Sequence, residues 1–172
     1  MERTKLLISA CLLGAACRYD GKSVPLPAET LAALSERFEL VPVCPEQLGG
    51  LPTPRESAEI SGGTVVTGSG RDVTAQYARG AAQALYLAQT LGCRAALLKQ
   101  RSPSCGSGEI YDGTFSRTLT PGDGVTAALL RSHGLAVFGE SEIAGLLETK
   151  KNTGGAPLSP DGAVCAPAKG EA

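Results

Sequence analysis

The sequence predicts an α/β fold, a three-layer sandwich around a mainly parallel, Rossmann-like sheet. Two observations carry this. Short apolar runs alternate with segments of helical periodicity along the chain, the pattern of a sheet covered on both faces by crossover helices. The clearest periodic segment places Val73, Tyr77, Ala81, Ala84, Leu85, Ala88 and Leu91 at helical spacing and ends at Gly92, a helix stop.

Lys5–Ala10 (KLLISA) reads as the first strand and runs into Cys11. Asp20-Gly21 marks a turn. Leu31, Leu34 and Phe38 give a helix over Ala28–Phe38. Glu39–Val43 (ELVPV) is a second strand, placed near an edge by Pro42, which has no N–H for a ladder bond. Cys44 follows at once. Residues 44–63 are rich in Pro and Gly and read as a loop. Thr64–Thr67 is half of a small hairpin around Gly68-Ser69-Gly70, and Asp72 is the N-cap of the long helix. Arg94–Leu98 is the third strand. The loop from Lys99 to about Gly122 exceeds the ~12–15 residues usual for a structureless connection, which hints at function. Gly124–His133 is a helix closed by Gly134, Leu135–Phe138 is the fourth strand, and Ser141 caps a short helix ending at Leu147. Residues 149–172 lack periodicity and read as a mobile Gly/Pro/Ala-rich tail, leaving one domain over 1–148.

A chain of 172 residues suits one modest core. A net charge of −1 with 19% charged residues makes no electrostatic case for a long nucleic acid or an anionic membrane. No apolar run approaches the ~20 residues that cross a bilayer. The N-terminal MERTKLLISACLLGAAC has a signal peptide as its rival reading, but it reads better as a strand ending in CLLG, so a cytoplasmic location is expected. Six cysteines are an even number. Disulfides serve small secreted domains with thin cores, whereas cytosolic cysteines are more often buried, catalytic or metal-bound. No G-x-G-x-x-G follows a strand, so a nucleotide cofactor is unsupported. The oligomeric state is open.

Open parallel sheets bind ligands beyond the carboxyl ends of their strands. Cys11 follows strand one, Cys44 follows strand two, and Cys105 lies in the loop after strand three (RSPSCG, 101–106). The plain alternative is three unrelated small buried residues. Converging thiolates suit a soft metal. None of them pairs as C-x-x-C, which counts against a closed zinc site and a thioredoxin-type dithiol, while spacing alone leaves zinc and iron–sulfur both open. Glu46, two residues after Cys44, is a candidate general base. Ser102 and Ser104 are candidate donors to substrate, and Gly106 and Gly108 allow close backbone approach. Cys17 either packs behind the ligands or joins them, Cys93 reads as core, and Cys165 lies in the tail. Arg18, Arg55 and Arg101 sit beside site loops and are candidates to hold a substrate polar group. Asp20, Asp112 and Asp123 precede Gly or flank it and read as turn formers. His133, the single histidine, ends a helix and suits its dipole, so a catalytic triad has little support.

Linked motifs then add to this reading. SACLLGAACRYDG (9–21), VCPEQLGGLPTPR (43–55), GRDVT (70–74), KQRSPSCGSGEIYDGTF (99–115) and GDGVTAALL (122–130) together resemble the TudS-type thiouracil desulfurases over roughly residues 4–140. The resemblance implies an oxygen-sensitive 4Fe-4S cluster on Cys11, Cys44 and Cys105, with one iron left for the substrate's sulfur. It implies a Lewis-acid reaction without net redox change, in which water replaces the sulfur of a small thiolated base and sulfide leaves. It also implies that Glu46 and Ser102 assist proton transfer and substrate positioning; the reading of the residues themselves adds Ser104 and Gly106 at the substrate and Cys17 and Arg18 just behind. Two other readings remain open: a zinc-dependent hydrolase on the same cysteines, and a non-enzymatic sulfur- or metal-binding protein.

Overall fold

The structure is a computed structural model, and it describes residues 3–148. The expected tail over 149–172, with Cys165, lies outside the described residues.

The chain runs β1 (Thr4–Ser9), a 3-10 turn (Ala10–Leu13), α1 (Ala28–Arg37), β2 (Phe38–Val43), α2 (Pro45–Leu48), β3 (Ala58–Ser61), β4 (Thr64–Thr67) and α3 (Thr74–Leu91). It continues with β5 (Ala95–Leu98), β6 (Glu109–Tyr111), β7 (Leu119–Pro121), α4 (Val125–Ser132), β8 (Ala136–Gly139), a second 3-10 turn and α5 (Ile143–Glu148). The main sheet has the order β2-β1-β5-β8, and its pairs are parallel. β2 lies at an edge, where Pro42 can face outward without breaking a ladder.

The three layers follow from period-2 alternation in the strands. Leu6, Ile8 and Leu97 face Leu34 of α1 and Leu146 of α5. Leu7, Ala96 and Leu98 face Ala84 and Ala88 of α3 and Ala127 and Leu130 of α4. Each large side chain sealed in this way contributes about 1.5–3 kcal/mol of burial. Small residues on α3 and α4 let those helices lie close to the sheet and to each other.

The strand order places the site. From β1 the chain moves to one side to form β2, then returns past β1 to form β5. The crossovers therefore leave β1 and β5 in opposite directions, which opens a crevice beyond their carboxyl ends.

The structure differs from the sequence expectation at five places, the first being residues 44–63, which read as a loop but carry α2 and β3. Thr64–Thr67 is the second half of a hairpin, not the first: it pairs antiparallel with β3. The turn is Gly62-Gly63, both at positive φ (58° and 85°), the conformation that favours glycine in two-residue hairpins. Asp72 sits one residue before the cap of α3, and its carboxylate accepts the Thr74 N–H at 2.8 Å. Ser141 lies inside the 3-10 turn, and Glu142 instead accepts the Gly139 N–H at 2.7 Å. The 99–122 connection carries a two-stranded ribbon, β6 with β7, whose strands of three residues are too short to show a period.

α2 is seated on α3 by a close backbone crossing. A Cβ on Gly80 would lie 1.9 Å from the Pro45 carbonyl oxygen, and one on Gly49 would lie 2.0 Å from that of Gln76. Arg79 adds two hydrogen bonds to the Gly49 carbonyl, at 3.0 and 2.7 Å. Gly80→Ala would raise intrinsic helix propensity by about 1 kcal/mol. The clash with a backbone atom outweighs that gain, so the variant is expected to lose about 1–3 kcal/mol in urea unfolding. Unchanged or increased stability would show that the crossing has slack.

Candidate functional site

A cavity of about 510 Å³ opens at this crevice, and Cys11, Cys17, Cys44 and Cys105 all line it. Cys11 stands in the 3-10 turn that follows β1, and Cys44 caps α2 at the end of β2. Cys105 lies in a loop hung on the start of α4: the Val125 and Thr126 amides donate to the Pro103 and Ser104 carbonyls, each at 2.8 Å. Within that loop the Ser102 hydroxyl accepts the amides of Ser104 and Cys105, each at 3.1 Å. The five described cysteines carry free thiols.

Burial pushes the Cys11 thiol up from 9.0 to about 11, and a charge on Cys44 pushes the same way while Lys99 opposes both. The Cys105 thiol is raised further, again by burial first. A hydrogen bond to Ser9 pulls it back, and Glu46, Cys11 and Cys44 push it up. Cys17 is raised by burial and by Cys44. Buried sulfurs that oppose one another's charge ionise together only around a cation. The donor set is thus suited to a soft, positively charged iron–sulfur group. Among the described residues, no three His, Cys, Asp or Glu side chains gather closely enough to hold a single metal ion.

Glu46 reaches the cavity from the first turn of α2 and is held on one side. Its Oε2 accepts Arg55 Nε at 2.6 Å, with the two side chains 13% and 4% exposed. Its Oε1 accepts the Ser102 hydroxyl at 3.4 Å. Arg55 also donates to the Cys17 carbonyl at 2.9 Å, the same oxygen that the Cys44 thiol approaches at 3.7 Å. One backbone oxygen therefore ties the carboxylate's partner to a candidate ligand. Tyr77 lines the cavity from α3; burial raises its phenol, and the neighbouring Glu46 carboxylate raises it further.

The sequence-predicted residues separate clearly. Cys11, Cys44, Cys105, Cys17, Glu46, Ser102, Arg18, Arg55 and Arg101 share the cavity. Ser104 and Gly106 do not line it. Ser104 is fully buried with its hydroxyl 2.9 Å from that of Thr126. A Cβ on Gly106 would lie 2.6 Å from the Ser102 carbonyl oxygen, so this glycine makes room for the loop itself. Arg55 pairs with Glu46 and not with open solvent, and Arg18 lies 3.2 Å from Asp20. Asp20 and Asp112 accept amides two residues on, as turn formers do, whereas Asp123 accepts the Gly108 amide fifteen residues away and pairs with Arg131 at 3.3 Å. Cys93 belongs to the core. His133 Nδ1 lies 3.0 Å from the Leu129 carbonyl oxygen at the end of α4, away from the cavity. Ser9, Glu59, Tyr77 and Lys99 join the site; Ser9 and Lys99 open two of the linked motifs, whereas Glu59 and Tyr77 lie outside them. Of the latter two, Tyr77 left a trace, as a polar-tipped residue on the buried face of its helix.

Three comparisons bear on this arrangement. The 2-thiouracil desulfurase family model matches residues 6–142. The uncharacterised protein YbbK of Bacillus subtilis (strain 168) is 46% identical over 152 residues, covering 83% of this chain and 99% of that protein. The solved structure of the 4Fe-4S-dependent thiouracil desulfidase TudS superposes with a TM-score of 0.80 at 51% identity, covering 84% of this chain and 95% of that one.

The Glu46–Arg55 pair yields a direct test. Arg55→Leu leaves a carboxylate in a poorly solvated place and is expected to cost about 3 kcal/mol, the low end for buried pairs because the cavity admits some water. Removing both charges, with Glu46→Leu and Arg55→Leu together, is expected to cost less than Arg55→Leu alone. Urea unfolding of the metal-free variants measures both. A double variant at least as unstable as the single one would contradict the pairing.

Proposed function

The chain belongs to the 2-thiouracil desulfurase family, a family of enzymes, and we propose that its cavity converts a small thiolated nucleobase to the oxo base with release of sulfide. The observation that carries the reading is that Cys11, Cys44 and Cys105, from three different strand ends, line one cavity beside an ion-paired Glu46. The likeness to a 4Fe-4S-dependent desulfidase supports a cluster as cofactor.

Cys11, Cys44 and Cys105 would hold that cluster. When bound, it would supply a soft Lewis acid for a soft thiocarbonyl sulfur, with no net electron transfer. The remaining work falls to the chain's own groups. Glu46 takes a proton at Oε1 from the water that attacks the thiocarbonyl carbon, while Arg55 keeps Oε2 occupied and the carboxylate in place. The Ser102 hydroxyl, which bridges Glu46 and the Cys105 loop, hands a proton between carboxylate and substrate. Water adds to the carbon as one of its protons passes to Glu46; the hydroxyl so formed then gives up its proton as the carbon–oxygen double bond forms and the carbon–sulfur bond breaks, and both protons leave with the sulfur. Tyr77 and the walls of the cavity limit solvent access to the carboxylate.

The zinc reading is less well supported, because the solved structure that this chain resembles at 51% identity is of a 4Fe-4S-dependent enzyme. No described helix is long and apolar enough to cross a membrane. Free thiols at five described cysteines suit a reducing compartment, and we place the enzyme in the cytoplasm, with residues 1–148 acting as one unit.

Anaerobic preparation is expected to give brown protein with about four irons per chain, and this protein should release uracil and sulfide from 2-thiouracil. Glu46→Gln should keep the iron content and visible spectrum yet lose roughly 100- to 10,000-fold in kcat. Iron-free protein after reconstitution, or full activity in Glu46→Gln, would contradict the proposal.

A further inference from the structure

We infer that Glu59 recognises a ring N–H of the substrate, an inference that rests on the thiolated-base reading above. Glu59 lies in β3, paired opposite Val66 of β4, and is 8% exposed. Its Oε2 accepts two backbone amides, those of Gly113 and Phe115, each at 3.0 Å. The β6–β7 loop is thereby tethered to the β3–β4 hairpin. Phe115 is held at φ 58°, a left-handed conformation that non-glycine residues avoid.

The tether accounts for half of the carboxylate. A carboxylate is an acceptor on both oxygens, and Oε1 has no hydrogen-bond partner among the described residues. No described side-chain oxygen or nitrogen is both sealed from solvent and unpartnered. Oε1 is therefore open to solvent, and Glu59 lines the cavity. Holding a loop needs only an acceptor, which a glutamine would provide without the desolvation of a charge. The surplus acceptor fits a ligand that donates.

A thiolated pyrimidine offers that donor beside the reacting carbon, in its HN–C=S unit. The loop tethered by Glu59 also brings the flat rings of Tyr111 and Phe115 to the same cavity, as suits a planar heterocycle. The acceptor on the edge and the rings on the wall thus come from one assembly. Glu59 would select bases with a free ring N–H and reject those alkylated there.

Glu59→Gln separates the two roles of the side chain. The loop amides require an acceptor, so the glutamine oxygen turns to them and its NH2 group faces the cavity, where it opposes a substrate N–H. In cluster-loaded protein, KM for 2-thiouracil is expected to rise roughly 10- to 100-fold with little change in kcat. Uracil binding, read by calorimetry, should weaken by the same factor. In the wild type, one of the two N-methyl-2-thiouracils should show a similar loss relative to 2-thiouracil. Against that compound Glu59→Gln should add almost nothing, because the contact is already gone. An active wild type that treats both N-methyl compounds like 2-thiouracil, or a Glu59→Gln with unchanged KM and uracil affinity, overturns the inference alone. A cluster-loaded wild type that desulfurates none of these bases overturns the reading beneath it, and the inference with it.

Discussion

Burial resists charge on Cys11 and Cys105, and the rest of the site is arranged around that resistance. Sulfur ligands are useful only as thiolates. Three of them beside a carboxylate form a concentration of negative charge that the bare protein opposes. A cation bound among them would remove the opposition and hold the thiols in their charged form. The same constraint explains why Arg55 is so fully engaged: it neutralises Glu46 where a further unpaired negative charge would be costly.

Holding such groups apart from solvent requires stiff loops. The parallel sheet delivers the ends of β1, β2 and β5 side by side, and each following loop has its own anchor. The turn after β1 shares the Cys17 carbonyl region with Arg55 and Cys44. α2 rests on α3 through the Gly49–Gly80 crossing. The Cys105 loop hangs from the first amides of α4, with Ser104 bonded to Thr126 in the interior. On the far side, the tether between Glu59 and the β6–β7 loop sets the opposite wall. Ser9 links two of the strand ends, accepting the Lys99 amide at 2.9 Å while standing beside Cys105.

Much of this could be read from the residues. The sheet was legible because burial on both faces leaves apolar runs and because α3 is long enough to show its period. The convergence of Cys11, Cys44 and Cys105 was legible because parallel strands end on one edge, whatever their separation in sequence. Residues whose roles depend on pairing across the fold were harder to place. Arg55 looks like a free cation until Glu46 is brought to 2.6 Å. Glu59 sits in a four-residue strand that no period reveals, and its bonds span more than fifty residues. Ser104 and Gly106 carry the right chemistry for a substrate contact, but the direction in which a loop residue faces is set by what the loop packs against. Here that is α4.

The central claim is that three strand-end thiols, two of them buried, hold a cluster and leave one iron for the sulfur of a thiolated base. Mössbauer spectroscopy of anaerobically prepared, 57Fe-loaded protein, recorded with and without 2-thiouracil, tests it most directly. The account predicts that roughly a quarter of the iron signal forms a distinct site and that this site alone shifts when the base is added. A cluster whose irons all stay unchanged at saturating 2-thiouracil, or iron bound as isolated mononuclear sites, would contradict it.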